Sequence, residues 1–177
     1  EDIHIKQKIY SQLETNISEE CIIATNTSSL SVTALASALE RPNRFLGLHF
    51  FNPAPLMQLV EVVPAIQTDK EHVTTCMNWM QSWGKKPVKA KDTPGFIVNR
   101  LARPFYGEAL RIVEEELATP NEVDSAMKNA GFRMGPFELM DLIGNDINYA
   151  VTSTIFKSFY FDPRYRPSVL QKRHVEA

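Results

Sequence analysis

The apolar positions of this chain change their period partway along. In residues 1–92, short apolar runs alternate with amphipathic stretches. Beyond residue 93 only helical spacings are found. Ile3, Ile5, Ile9, Tyr10 and Leu13 predict an amphipathic helix over 3–14. The run 21–25 reads as a buried strand entering the polar turn Asn26-Thr27-Ser28-Ser29, and 31–36 as a short helix started by a hydroxyl. Residues 45–51 and 59–63 read as strands, and Pro53 and Pro55 make the segment between them a loop. A helix over 70–83 ends at Gly84, and 87–90 is a last strand. This alternation predicts an α/β layer with a parallel sheet of three or four strands. The second half predicts helices over 96–117, kinked at Pro104, then over 121–129, 136–142 and 146–159. Two domains are expected, 1–92 and 93–177.

Composition narrows the class. With 44% hydrophobic and 23% charged residues in 177, the chain is globular. A net charge of −2, with no basic stripe carrying aromatics, gives no case for nucleic acid. No apolar run is long enough to span a bilayer, and the N-terminus does not read as a signal peptide. Cys21 and Cys76 have no metal spacing and no disulfide framework, and the four histidines are scattered. A soluble, cytoplasmic protein without a metal is expected.

The chemistry concentrates around His49-Phe50-Phe51-Asn52-Pro53 and the strand Leu59-Val60-Glu61-Val62-Val63. A carboxylate inside an apolar strand is tolerated when it is paired, and His49 is the candidate partner. Alone, a strand histidine reads as a core residue bonded to a backbone carbonyl. Beside Glu61 and Asn52 it reads as a general base. Ser28 and Ser29 either cap the next helix or offer a hydroxyl to a ligand. Asn99, one turn into a helix, either bends it or aims an amide into a cleft. Glu114-Glu115-Glu116 reads as a solvated face, Met134-Gly135-Pro136 as a turn, and Trp79 with Trp83 as core packing.

The segments Asn26-Thr27-Ser28-Ser29-Leu30, Gly47-Leu48-His49-Phe50-Phe51-Asn52-Pro53 and Leu59-Val60-Glu61-Val62-Val63 occur here in order. Asp92-Thr93-Pro94-Gly95-Phe96-Ile97-Val98-Asn99-Arg100 and Met134-Gly135-Pro136-Phe137-Glu138-Leu139 follow. In them the chain resembles the 3-hydroxyacyl-CoA dehydrogenase family over nearly its whole length. The tracts around Trp83-Gly84-Lys85-Lys86 and Asp141-Leu142-Ile143-Gly144-Asn145 resemble the members of bacterial phenylacetate breakdown, which act on 3-hydroxyadipyl-CoA.

The resemblance implies a Rossmann-type NAD domain followed by a helical domain that binds substrate and forms a homodimer. It implies NAD as cofactor and an acyl-CoA as substrate. It puts the general base at His49, its carboxylate at Glu61, a substrate contact at Ser28 and the last catalytic amide at Asn99. Cofactor contacts fall on Glu1, Lys6, Ser28 and Asn52. The family's Gly-x-Gly-x-x-Gly turn, which cradles the pyrophosphate, does not occur in this sequence. The chain is therefore expected to be a piece of a longer dehydrogenase, inactive alone and short at both ends. The competing reading is a non-catalytic helical dimerisation module built on the same fold.

Overall fold

The computed structural model describes residues 2–177, which separate into two compact units divided between Ile97 and Val98.

In the first unit, Asp2 caps helix α1 (Ile3–Glu14) by accepting the Ile5 N–H at 3.0 Å. Four strands follow among the described residues: β1 (Ile23–Thr25), β2 (Phe45–Phe50), β3 (Leu59–Pro64) and β4 (Lys86–Lys89). They form one sheet in the order β1-β2-β3-β4. The outer pairs are parallel, but β2 and β3 run antiparallel, which corrects the expectation of a parallel sheet. The reason lies in the loop 51–58, which contains no helix. A parallel return needs a crossover of a dozen or more residues, and a segment this short can only bring the chain straight back.

Alternation along the strands puts apolar residues on both faces. Phe45 and Val63 join Ile23, Phe96 and helix α2 (Val32–Ala36) on one side, while Leu46 and Val62 meet Val73 and Cys76 of helix α3 (Lys70–Ser82) on the other. Gly47 allows this close approach. A Cβ there would stand 3.1 Å from both Val32 Cγ2 and Val63 Cβ. Trp79 and Trp83 are not core residues, as the four-residue spacing had suggested. They are 46% and 63% exposed, because α3 turns Val73, Cys76 and Met80 to the sheet instead.

The second unit is helical: α4 (Val98–Glu114), α5 (Pro120–Asn129), α6 (Pro136–Ile143), α7 (Asn145–Ser158) and α8 (Val169–Glu176). Tyr106, Leu110 and Met140 form its buried centre, with Phe105, Phe137 and Leu170 packed around them. Helix α4 runs through Pro104 as one element. It is shorter than predicted at both ends, because Phe96 and Glu116 adopt positive φ of 46° and 55°. Helix α8 was not anticipated. Its start is fixed by Glu114, whose Oε1 accepts from Ser168 Oγ at 2.7 Å and Leu170 N at 2.8 Å. Glu114, exposed with Glu115 and Glu116 as a solvated face predicts, also anchors α8. No helix of the described residues is long and apolar enough to cross a membrane.

Candidate active site

The β2–β3 register sets His49 directly opposite Glu61. Their side chains meet at 2.5 Å between His49 Nδ1 and Glu61 Oε2, with His49 6% and Glu61 0% exposed. The second carboxylate oxygen accepts the backbone N–H of Ile97 at 2.9 Å. A buried carboxylate flanked by donors is stabilised as the anion. With Glu61 ionised, Nδ1 must carry the proton of that bond, so the neutral ring keeps its lone pair on Nε2. Phe51 and Phe96 flank the imidazole, their ring centroids 4.6 and 5.7 Å from its own. The result is an oriented imidazole against aromatic walls, braced from behind by an anion.

The loop carrying Ser28 lies at the same end of the sheet. Strands β1 and β2 are parallel, so the chain leaves β1 beside the end of β2 that bears His49. Asn26 Oδ1 ties the two together by accepting the Phe50 N–H at 2.9 Å. Thr27 is buried, and its Oγ1 accepts from Leu30 N at 3.0 Å, which folds the loop into a turn. The capping alternative for Ser28 and Ser29 is not what the structure shows. Ser31 caps α2 by accepting the Ala34 N–H at 3.1 Å. Asp92 assists, accepting Val32 N at 2.9 Å and Thr33 N at 2.7 Å. Sequence reading had quoted Asp92 only as part of a motif. A carboxylate beside a helix start is a signal visible only once the chain has folded back on itself.

Asn52 lies two residues beyond the end of β2 and is joined to Pro53 by a cis peptide bond. Lys6 lies half-buried in the first turns of α1. Glu1 falls outside the described residues. Asn99 is the second residue of α4, and its carbonyl accepts from Arg103 Nε at 3.1 Å. The structure therefore brings His49 and Glu61 into contact and sets the Ser28 loop and Asn52 at the same end of the sheet. Asn99 belongs to the other unit.

Sequence comparison gives this geometry a class. Residues 1–93 match the family model described as "3-hydroxyacyl-CoA dehydrogenase, NAD binding domain", and residues 95–177 match "3-hydroxyacyl-CoA dehydrogenase, C-terminal domain". The chain belongs to the 3-hydroxyacyl-CoA dehydrogenase family. It is 48% identical over 99% of its length to 3-hydroxyadipyl-CoA dehydrogenase of Escherichia coli K12, of which it covers 37%. It is 43% identical to the mitochondrial hydroxyacyl-coenzyme A dehydrogenase of Sus scrofa, covering 99% of this chain and 56% of that protein. Among solved structures it matches 3-hydroxybutyryl-CoA dehydrogenase of E. coli K12 with a TM-score of 0.98 and 47% identity, over 99% of this chain and 38% of that one. The chain thus spans between about two fifths and three fifths of these relatives. Its fold is the later part of a Rossmann-type domain joined to a helical domain.

Proposed function

We propose that this chain carries the proton-transfer machinery of an oxidoreductase that oxidises the 3-hydroxyl of a 3-hydroxyacyl-CoA to the 3-ketone, with NAD as hydride acceptor. One observation carries the reading most: a buried carboxylate fixed on both oxygens and bonded to Nδ1 of an imidazole whose Nε2 is left basic.

His49 Nε2 takes the proton of the substrate 3-hydroxyl. Glu61 holds the ring in one tautomer and stabilises the imidazolium that forms, as the acid of a serine-protease triad does. The aromatic flanks of Phe51 and Phe96 keep water from the ring and raise the worth of that charge pair. Ser28 and Asn99 position the substrate oxygen. NAD, when bound, would supply the redox chemistry as hydride acceptor. The carboxyl ends of β1 and β2, with Ser28 and Asn52 on their loops, are where ligands lie in open α/β sheets, and they suit its nicotinamide end. Lys6 and Glu1 complete the cofactor contacts in this reading. The E. coli relative's name favours a six-carbon dicarboxylic acyl group, with roles in phenylacetate breakdown or fatty acid β-oxidation. Outward-facing Leu101, Leu142, Ile147 and Phe161 of the helical unit support a homodimer through that unit. The free thiols of Cys21 and Cys76 suit the cytoplasm.

The test is an NADH fluorescence titration followed by acetoacetyl-CoA reduction by the whole protein. Saturable NADH binding with turnover supports the enzyme. A folded protein that neither binds NADH nor reduces the thioester is instead a helical dimerisation module.

A further inference from the structure

We propose that Lys85 is a positioning residue for this reaction: its ammonium group holds the loop that follows His49 in its working shape. The inference rests on the dehydrogenase reading above.

Loop 51–58 has few means of holding itself. Pro53 and Pro55 have no N–H to donate. Its internal hydrogen bonds are those from Leu56 N and Met57 N, both to Pro53 O and both 3.0 Å. Leu56 is largely exposed and Met57 partly so, and apolar packing does little to fix them. Three of its carbonyls converge instead on Lys85 Nζ: Ala54 O at 2.6 Å, Met57 O at 3.0 Å and, at the limit of contact, Pro55 O at 3.5 Å. An ammonium offers three tetrahedral donors and matches three converging oxygens. Among the described residues Lys85 forms no ion pair, so the carbonyls do not compete with a carboxylate for it.

The tether is anchored at its other end. Lys85 N donates to Met80 O at 2.9 Å, after Gly84 turns the chain at φ 74°. Met80 is a buried residue of α3. Beyond Lys85, Lys86 N donates to Gln58 O at 2.8 Å, where β4 joins β3. The side chain therefore links the end of a packed helix to the middle of a poorly packed loop. That loop starts one residue after β2 and two residues after His49, and it carries Asn52. Its shape decides where Asn52 stands relative to the imidazole.

The test uses Lys85→Met, Lys85→Arg and Lys85→Ala in the whole protein. Small misplacement of positioning groups costs about 10–100-fold in rate, so Lys85→Met should lower kcat for acetoacetyl-CoA reduction by that order, with KM nearly unchanged. Lys85→Arg should restore little, because a planar guanidinium cannot reproduce a tripod of donors. Added n-propylammonium should restore part of kcat in Lys85→Ala and none in Lys85→Met, whose side chain fills the space. Hydrogen exchange supplies a readout independent of turnover. The Leu56 and Met57 amides should exchange faster in Lys85→Met, while those of α3 and β3 stay as in the parent. Full activity in Lys85→Met overturns the positioning role, and unaltered exchange at Leu56 and Met57 overturns the tether. A parent protein without turnover overturns the dehydrogenase reading and the catalytic part of this inference, leaving the tether to be judged on exchange.

Discussion

Two buried charges, one from each unit, are served differently. Glu61 on β3 is fully buried and bonded to an imidazole, a partner that can take up or release a proton. Arg103 on α4 is 5% exposed and is held by two carbonyls, a hydroxyl and the ring of Tyr106. Its Nη1 donates to Asn148 O at 3.1 Å and Thr152 Oγ1 at 2.8 Å, its Nε to Asn99 O, and its guanidinium lies 5.0 Å from the centre of the Tyr106 ring. Burial pushes Arg103 down to about 10, which still leaves it charged at neutral pH. A buried charge beside a titratable group can move a proton. One held by carbonyls, a hydroxyl and a ring can only brace α4 against α7. The comparison teaches that burial of charge marks importance, while the partner decides whether that importance is chemical or structural.

The comparison is broken most severely at the first pair. His49→Gln should abolish acetoacetyl-CoA reduction while NADH affinity, read by fluorescence, stays near that of the parent. Glu61→Gln should lower turnover by roughly 10²–10⁴-fold, the range for loss of general acid–base support. Gln keeps an oxygen for the Ile97 N–H, so the circular dichroism spectrum should not change. Near-parental turnover in Glu61→Gln would make Glu61 a structural residue like Arg103 and erase the distinction.

Arg103 should respond in stability and not in rate. Arg103→Ala opens a cavity and strips donors from two buried acceptors, which should cost about 2–4 kcal/mol in denaturant unfolding. Arg103→Met fills most of the volume. Thr152 Oγ1 already donates to Asn148 O at 2.9 Å, so that acceptor keeps a donor. The loss should then fall below about 1.5 kcal/mol. No pH dependence near neutrality should come from this site. The folded-state value is the lower one, so the unfolded chain binds the extra proton only above about pH 10, and any gain in stability with pH is confined there. A turnover per folded molecule that drops in Arg103→Met would move Arg103 into the reaction.

The first of these sites was legible in the sequence and the second was not. A lone carboxylate in Leu59-Val60-Glu61-Val62-Val63 cannot face solvent in a strand buried on both sides, so it needs a partner and His49 was the candidate. The antiparallel register that joins them was not legible to a reading that expected parallel strands. Arginine on an amphipathic helix reads as a solvated or snorkelling residue, and nothing local says that Arg103 points inward. The Ile97 N–H on Glu61 was hidden too, because it depends on the turn made by Phe96 at positive φ. Helix α8 was missed although Ser168 caps it locally by accepting the Gln171 N–H at 3.0 Å. Only the added anchor from Glu114, 54 residues from Ser168, leaves no trace in a local pattern.

Another buried charge, in the second unit, sharpens the rule. Asp124 on α5 accepts Phe137 N at 2.9 Å and Glu138 N at 3.0 Å, so it satisfies the first turn of α6, again with fixed partners. Gly135 makes room for it, since a Cβ there would stand 2.2 Å from Asp124 Oδ1 and 2.4 Å from Asp124 Cα. The second contact is with backbone, which cannot swing away. Gly135→Ala should therefore destabilise by about 1–3 kcal/mol, as overpacking does. A stability equal to the parent's would show that α5 and α6 are not in this contact.

The smallest effect belongs to the exposed pairs beside that contact. Glu138 lies below the usual glutamate range chiefly because Lys128 bonds to it, and Glu122 does so because it accepts the Thr119 N–H and hydroxyl at the start of α5. Both shifts are downward, so the stability they confer is present above the unfolded-chain value and is lost as pH falls through the lower folded one. Both groups are open to solvent, where such pairs contribute little and salt screens them. Thermal unfolding between pH 7 and 3.5 should show a slightly steeper loss in the parent than in Glu138→Gln, with the gap narrowing in high salt. Glu122→Gln should also lose stability slightly less steeply than the parent, but salt should affect that difference less, because its partners are a backbone amide and a hydroxyl rather than an ammonium. Equal salt sensitivity in the two variants would mean that the Lys128–Glu138 charge pair adds nothing to its hydrogen bond. In that case the distinction between charged and neutral partners would hold only for buried groups.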